Sequence, residues 1–437
     1  MVRLRMTIEF LYDLFQRHPS VQTDTRQLKQ GDLFFALKGG NFNGNHFALR
    51  ALELGAAYAI IDEPVVPPAG TPSDRLILVD DVLATLQQLA LHHRRQFDIP
   101  FIAITGSNGK TTTKELVHAV LSSTYQTYTT KGNLNNHIGI PLTILSVQRD
   151  AEFAVIEMGA NHQKEIEGYC LYSLPTHGII TNIGRAHLEG FGGPEGVRKG
   201  KGELYDYLRD EGGSAFVFRD SDDLRQMSRG IPHIITYGTV EADVVGKVAP
   251  ANDSFLHVEI TRGANTGTLA TQLVGDYNLP NVLVAVTVGK HFGVTDARIH
   301  KAITQYTPSN SRSQLIERDG NHIILDAYNA NPSSMRAAIE NFARLQTNGG
   351  DKMLILGAMA ELGPESVNEH KGIVELIAQY QWAQVVLVGG DFLKVEHPYR
   401  SFVNSAEAAE WYRQAGIKNS WLLIKGSRSS KMEAVLE

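Results

Sequence analysis

The chain of 437 residues has one cysteine, Cys170, no apolar run long enough to cross a bilayer and no block of lysine or arginine. A single cysteine excludes an intrachain disulfide and any metal site built from several thiolates, and it fits a reducing compartment. Cys170 itself reads as a small buried apolar residue. The missing apolar span excludes a membrane-crossing helix. A formal net charge of −6 without a basic cluster leaves no electrostatic footprint for nucleic acid. Repeats of solenoid length and low-complexity tracts are absent too, which sets aside repeat architectures. The opening stretch "MVRLRMTIEFLYDLFQ" has some of the apolar content of a secretion signal, but Glu9 and Asp13 interrupt it and predict an amphipathic helix. A cytoplasmic protein with no membrane span is expected, and nothing demands more than a monomer.

What is present is alternation. About three domains are expected at this length, and the pattern divides the chain into 1–98, 99–308 and 309–437. The first block carries short strands ("GDLFFAL", "AAYAIID", "DRLILVD") and closes with a helix around Leu83 to Arg95. The second alternates "FIAIT", "FAVIEMG", "GIITNI" and "SAFVF" with helices and has a polar insert of β character near 240 to 270. The third repeats the alternation with "HIILDAY", "KMLILGA", "QVVLVGG" and "WLLIKG". Strand and helix alternation of this kind predicts mostly parallel sheets covered on both faces. The fold class is therefore α/β in three domains: a small N-terminal α/β domain, a central doubly wound domain of the P-loop ATPase kind and a C-terminal Rossmann-like domain.

The sharpest local signal is "AITGSNGKTTTKE", residues 103 to 115, set between an apolar strand and a segment with helical periodicity at Leu116, Val117, Val120 and Leu121. In a strand-to-helix turn, Gly106 and Gly109 let backbone N–H groups close on an anion, Lys110 supplies positive charge and the Thr111 hydroxyl can reach a magnesium ion. The spacing departs from the standard G-x-x-x-x-G-K-[ST], whose first position falls on Ile104.

Ligands of open α/β sheets gather at the carboxyl ends of strands, so polar residues there come next. Glu157 ends "FAVIEMG", from where a carboxylate can complete the magnesium shell begun by Thr111, or simply cap a helix. His187 follows "GIITNIGRA", where an imidazole can bind metal, polarise a phosphoryl oxygen or hydrogen-bond within its loop. Lys201, in "VRKGKGELYDYL", is placed near a helix start and reads on its own as a solvated charge.

Together the phosphate loop, "EMGANH", "NIGRAHLEGFGG" and "KGKGELYDYL" resemble the Mur ligase family, ATP-dependent amide-forming enzymes of peptidoglycan synthesis. "TDTRQLKQGDLFFALKGGNFNGNHF", "KGNLNNHIGIPLTIL", "GDYNLPNVLVA", "DAYNANPSSM" and "KGSR" extend the likeness over essentially the whole chain. The resemblance implies an ADP-forming ligase in which ATP phosphorylates the carboxylate of UDP-N-acetylmuramoyl-tripeptide and the amine of D-Ala-D-Ala attacks the acyl phosphate. It assigns Gly106, Ser107, Asn108, Gly109, Lys110, Thr111 and Thr112 to the ATP phosphates, and Asn278, Asn281, Arg312 and Asp326 to the rest of the nucleotide. Thr111 and Glu157 would hold one Mg2+, with His187 and a carbamylated Lys201 helping to hold a second. Lys110, Glu157, His187 and Lys201 form the implied catalytic set. Thr25 and Arg26 would meet the uridine end, Asn133, Asn135 and Asn136 the muramoyl or pyrophosphate part, and Asn329 and Asn331 the acyl phosphate or incoming dipeptide. Ala358 departs from the pattern, since the family often has an acidic residue there. Alternatives are another ligase of the superfamily, an earlier Mur step or a folylpolyglutamate synthase, and, from a different class, a nucleotide switch without amide chemistry.

Overall fold

In the computed structural model, which describes residues 7–66, 73–251, 253–309, 311–347 and 349–437, the apolar runs become strands and the amphipathic segments become the helices that cover them. Met1 to Met6, the start of the expected N-terminal helix, lie outside the described residues. The chain divides into two compact units. The first takes in the chain to Ala103 together with Tyr125–Gly159 and Glu165–His177, and the second takes in Ile104–Thr124, Ala160–Lys164 and Gly178–Glu437.

In the first unit, α1 (Ile8–Arg17) starts where the Thr7 side chain accepts from the Phe10 N–H, with Glu9 in its first turn and Arg17 in its last, the favourable order for a helix dipole. β1 (Val21–Gln22) and β2 (Leu33–Phe35) precede a short antiparallel hairpin of β3 (Lys38–Gly39) and β4 (Phe42–Asn43). After α2 (Ala48–Glu53) come β5 (Tyr58–Ile61) and β6 (Leu76–Leu78), which complete a parallel sheet in the order β1-β2-β5-β6. The helix α3 (Val82–Arg94) is capped by Asp81. It packs against α1, α5 (Gly139–Leu145) and α6 (Glu165–Ser173). Cys170 is buried in α6, as expected. At the foot of α3 the Arg94 guanidinium donates to the carbonyls of Ser173 and Leu174 and lies 3.8 Å over the Phe101 ring. The strands β8 (Thr127–Thr129) and β9 (Phe153–Glu157) pair in parallel.

The strand β7 (Phe101–Thr105) carries the chain from the first unit into the second, where α4 (Lys110–Ser122) follows. After β10 (His177–Ile180) come α7 (Leu188–Phe191), α8 (Pro194–Asp210), β11 (Ser214–Phe218), α9 (Asp222–Met227) and β12 (His233–Gly238). The polar insert forms β13 (Val244–Val248), β14 (His257–Arg262) and β15 (Thr268–Ala270), each antiparallel to the next, at the outer end of the order β15-β14-β13-β12-β11-β10. The helix α10 (Leu279–His291) is buried without interruption from Asn281 to Gly289, which accounts for its lack of a polar face. It packs against α4, and α11 (Asp296–Gln305) follows.

The remainder is a six-stranded sheet, built from β16 (Gln314–Arg318), β17 (Asn321–Asp326), β18 (Asp351–Gly357), β19 (Gln384–Val388), β20 (Arg400–Phe402) and β21 (Ser420–Lys425) in the order β16-β17-β21-β18-β19-β20. Only β16 runs antiparallel to its neighbour. Alternate residues face opposite sides. Ile324, Leu354, Leu356 and Leu423 pack under α12 (Pro332–Arg344) and α13 (Ser366–Ile377), while Ile323, Ile355, Leu422 and Ile424 face the side of α14 (Ser405–Ala415). Burial on both faces explains why these strands read as unbroken apolar runs. The α/β class with parallel sheets is thus the one found. α4 begins at Lys110, directly after the glycine loop, and one local expectation changes: Lys201 lies in the middle of α8 rather than near its start.

Candidate active site

The turn from β7 into α4 has the backbone that its glycines permit. Gly106 has φ +139° and Gly109, the N-cap of α4, has φ +79°. A Cβ would lie 2.0 Å from Thr181 Oγ1 at Gly106 and 2.8 Å from Asn281 Oδ1 at Gly109, so both positions need glycine for conformation and for space. The loop is fastened to the segment after β10. Ser107 N–H donates to the Asn182 carbonyl at 3.0 Å, Asn108 N–H donates to Asn182 Oδ1 at 3.0 Å, and Thr181 Oγ1 donates to the Asn108 carbonyl at 2.5 Å. Ser107 Oγ also donates to the Gly184 carbonyl and accepts from the Gly184 N–H. Lys110 Nζ donates to the Gly106 carbonyl at 2.8 Å, which keeps its charge at the loop. Thr111 is buried in the first turn and Thr112 half-buried beside it. A helix N-terminus of this form offers backbone amides and the positive end of a dipole to phosphate oxygens.

His187, the N-cap of α7 with φ +52°, forms an ion-pair contact through Nδ1 with the carboxylate of Glu361, whose pKa is lowered by the hydrogen bond from that imidazole. Next to it, Arg185 N–H donates to Ser333 Oγ at 2.9 Å and the Arg185 guanidinium meets Glu369 at 2.6 Å. Lys201 is not a solvated charge. It is fully buried, its Nζ donates to the Ala160 carbonyl at 2.9 Å, and it lies 4.9 Å over the Phe191 ring. Gly200 admits that ring, since a Cβ there would stand 2.4 Å from it. Lys199 is exposed.

At the carboxyl end of β17, Asp326 accepts from the Ser313 N–H through Oδ1 and from Lys425 Nζ through Oδ2. Lys425 is its register partner on β21, is 2% exposed and also donates to the Asn329 carbonyl at 3.2 Å. Arg312 stacks 3.6 Å over the Tyr328 ring. The exposed Asn329 side chain turns back to the N–H of Ala330, whereas Asn331 is buried as the N-cap of α12. Asn278 and Asn281 are also buried. Asn281 Nδ2 donates to Asn278 Oδ1, Asn278 Nδ2 donates to the Val274 carbonyl, and Thr113 Oγ1 donates to Asn281 Oδ1. Here they brace the phosphate loop from beneath.

Within the first unit, Glu157 is buried at the end of β9 and accepts from Asn135 Nδ2 at 2.8 Å. Asn135 is packed so closely that a Cβ on Gly159 would come within 2.9 Å of it. Asn133 is exposed, and Asn136 Oδ1 accepts from the N–H groups of Ile138 and Gly139 in an Asx-type turn. Thr25 is half-buried; Arg26 is exposed and paired with Asp24, whose carboxyl that guanidinium pulls down to about 2.

The structure therefore brings the phosphate loop, His187, Lys201, Asp326 and Asn331 into one unit, with Glu157 and the Asn133 to Asn136 turn in the other. Sequence reasoning passed over Lys425, Glu361, Thr181 and Asn182. The first lies in "KGSR" at a strand's carboxyl end, a position already known to gather ligands; the other three gave no local signal. Among the described residues no three His, Cys, Asp or Glu side chains gather closely enough to hold a metal ion, and no helix is long and apolar enough to cross a membrane.

The description "Mur ligase family, catalytic domain" matches residues 19–94, "Mur ligase middle domain" residues 104–289, and "Mur ligase, glutamate ligase domain" residues 311–428. The chain is similar to the UDP-N-acetylmuramoyl-tripeptide--D-alanyl-D-alanine ligase of Bacillus subtilis (strain 168), at 34% identity over 432 residues, 95% of this chain and 92% of the relative. Among solved structures, MurF from Acinetobacter baumannii aligns with a TM-score of 0.84 and 30% identity, over 97% of this chain and 96% of that one. The MurF ligase of Thermotoga maritima in complex with ADP aligns with a TM-score of 0.84 and 27% identity, over 97% of each chain.

Proposed function

This chain belongs to the Mur ligase family, and we propose that it joins D-Ala-D-Ala to UDP-N-acetylmuramoyl-tripeptide with conversion of ATP to ADP, in the cytoplasmic synthesis of peptidoglycan precursors. The observation that carries the reading is the full-length likeness to a ligase of that specificity together with an intact phosphate loop between β7 and α4. The three blocks 1–98, 99–308 and 309–437 are its functional division, for the muramoyl nucleotide, for ATP and for closure on ATP and the dipeptide.

The chemistry starts from a poor electrophile. A carboxylate resists attack by an amine until one oxygen is converted to phosphate, a good leaving group. The site must therefore hold two anions in line and neutralise them. Lys110 and the first turn of α4 meet the ATP phosphates, and the tripeptide carboxylate attacks the γ-phosphorus, releasing ADP. The dipeptide amine then adds to the acyl carbon and phosphate leaves. Arg312 and Asp326 orient the nucleoside end.

One Mg2+ would be held by Thr111 and Glu157, and His187 with a carbamylated Lys201 would help to hold a second. Such an ion characteristically takes one or two carboxylates from the protein and its other oxygens from phosphates and water, and the buried Glu157 supplies a carboxylate of that kind. Such an ion, when bound, would neutralise charge on the transferring phosphoryl group. Lys201 fits this set only as a carbamate, since its Nζ donates to a carbonyl and an ammonium has no lone pair for a metal.

Phosphate release from ATP tests the reading. It should require both the UDP-linked tripeptide and D-Ala-D-Ala; hydrolysis of ATP indifferent to both substrates would point to the nucleotide switch instead.

A further inference from the structure

Asn108 and Asn331 are 223 residues apart in sequence, yet Asn331 Nδ2 donates to Asn108 Oδ1 at 2.7 Å. Both ends of the Asn331 amide are in use. Its Oδ1 accepts from the Ser334 N–H while the Ser334 hydroxyl accepts from the Asn331 N–H, a capping box that starts the 13-residue helix α12. The Asn108 backbone is engaged on both sides, its N–H by Asn182 and its carbonyl by Thr181 and Asn182. The side chain is what remains to be set, and Asn331 sets it. Asn108 also directly precedes Gly109, the N-cap of α4. The positive ends of α4 and α12 are thereby held at one loop, with Ser333 binding the neighbouring Arg185 N–H.

We infer that Asn331 is a positioning residue for the phosphate loop: its amide fixes the Asn108 side chain and docks the N-terminal end of α12 against the residues that receive the polyphosphate. This rests on the nucleotide part of the proposed function, and it gives Asn331 a duty other than contact with the acyl phosphate or the dipeptide. A loop fixed only while α12 is docked binds the diphosphate of ADP better than one with a free Asn108 side chain.

The test is a double-mutant cycle on the full chain, with Asn108→Ala, Asn331→Ala and the pair, reading ADP affinity by calorimetry. Each single variant should bind ADP about three- to tenfold more weakly, the scale of one net hydrogen bond, and the pair should bind no worse than the weaker single. Asn331→Ser guards against simple unfolding, because serine still caps α12 but cannot reach Asn108. It should melt close to the wild type and still lose ADP affinity. Multiplicative losses in the pair, wild-type affinity in Asn331→Ser, or no ADP binding by the wild type would each overturn the inference. Ligase turnover is read separately. Coupled ADP binding without turnover would sink the ligase reading and leave this inference standing, and normal turnover with uncoupled losses would do the reverse.

Discussion

At the scale of single residues, two lysines of the site call for opposite states. Lys110 lies at the loop as a charge, so Lys110→Ala should abolish ADP formation while the melting temperature stays within about 3 °C of the wild type, since a half-buried loop lysine contributes little packing. Unaltered turnover at saturating ATP would remove the phosphate-loop assignment. Lys201 is buried and, in this reading, reacts as the neutral amine with carbon dioxide to give a carbamate. Lys201→Ala should lose most activity and the exposed Lys199→Ala little. Removal of carbon dioxide and bicarbonate should slow the wild type reversibly, and labelled bicarbonate should give a carbamate carbon signal that is absent from Lys201→Ala. Full activity in Lys201→Ala would end the proposal. The face that buries Lys201 was legible, since Val197, Leu204, Tyr205 and Leu208 share it at helical spacing, but a lysine on that face still reads as solvated until the Phe191 ring that Gly200 admits is seen to cover it.

At the scale of elements, β17, β21, β18 and β19, the inner strands of the six-stranded sheet, were plain in the sequence because both faces are buried, and the phosphate turn because its glycines stand between a strand and a helix. The short β8 and the edge strands β16 and β20 were not, since half-exposed strands leave a mixed pattern. Sequence marked which loops carry site residues but not how Asn278, Asn281 and Asn331 use their amides, a matter of contacts made far along the chain. The tightness of the β7 to α4 turn leads to a prediction. Gly106→Ala places a Cβ against Thr181 Oγ1 in a backbone conformation that L-residues avoid, so the variant should melt well below the wild type and show little stabilisation by ADP in a thermal-shift assay. An ADP-induced shift equal to that of the wild type would contradict it.

At the scale of the whole molecule, one buried histidine in each unit links stability to pH. His93 meets the Val147 carbonyl at 2.8 Å and Tyr12 OH at 3.2 Å, and burial lowers its pKa from the usual imidazole value. His370 accepts the Met359 N–H through Nε2, and burial again lowers its pKa. The folded chain therefore favours both neutral imidazoles. Above an unfolded value of about 6.5 their contribution is complete, and as pH falls below it the unfolded chain takes up protons first and stability drops. The urea midpoint should fall between pH 7.5 and pH 5, and less steeply in His370→Gln. An equal slope in that variant would exclude His370 as a source.

The order β16-β17-β21-β18-β19-β20 also governs how the protein is made. β21 inserts between β17 and β18, and Lys425 reaches Asp326, 99 positions earlier in the chain. At about 5–20 residues per second, ribosomes need roughly 5–20 s to make that stretch. Throughout that interval β17 and β18 are without the strand that lies between them, and each exposes an edge on an apolar ribbon, the kind of surface on which nascent chains associate. Ribosome-bound chains stalled before Ser420 should therefore crosslink to holdase chaperones and sediment when these are depleted, whereas chains stalled with Lys425 well clear of the ribosome should resist protease. A newly made molecule gains the Lys425 counter-charge of Asp326 only in the step that closes this sheet, so in the proposed reading, where Asp326 orients the nucleoside end, partly synthesised chains should not turn ATP over.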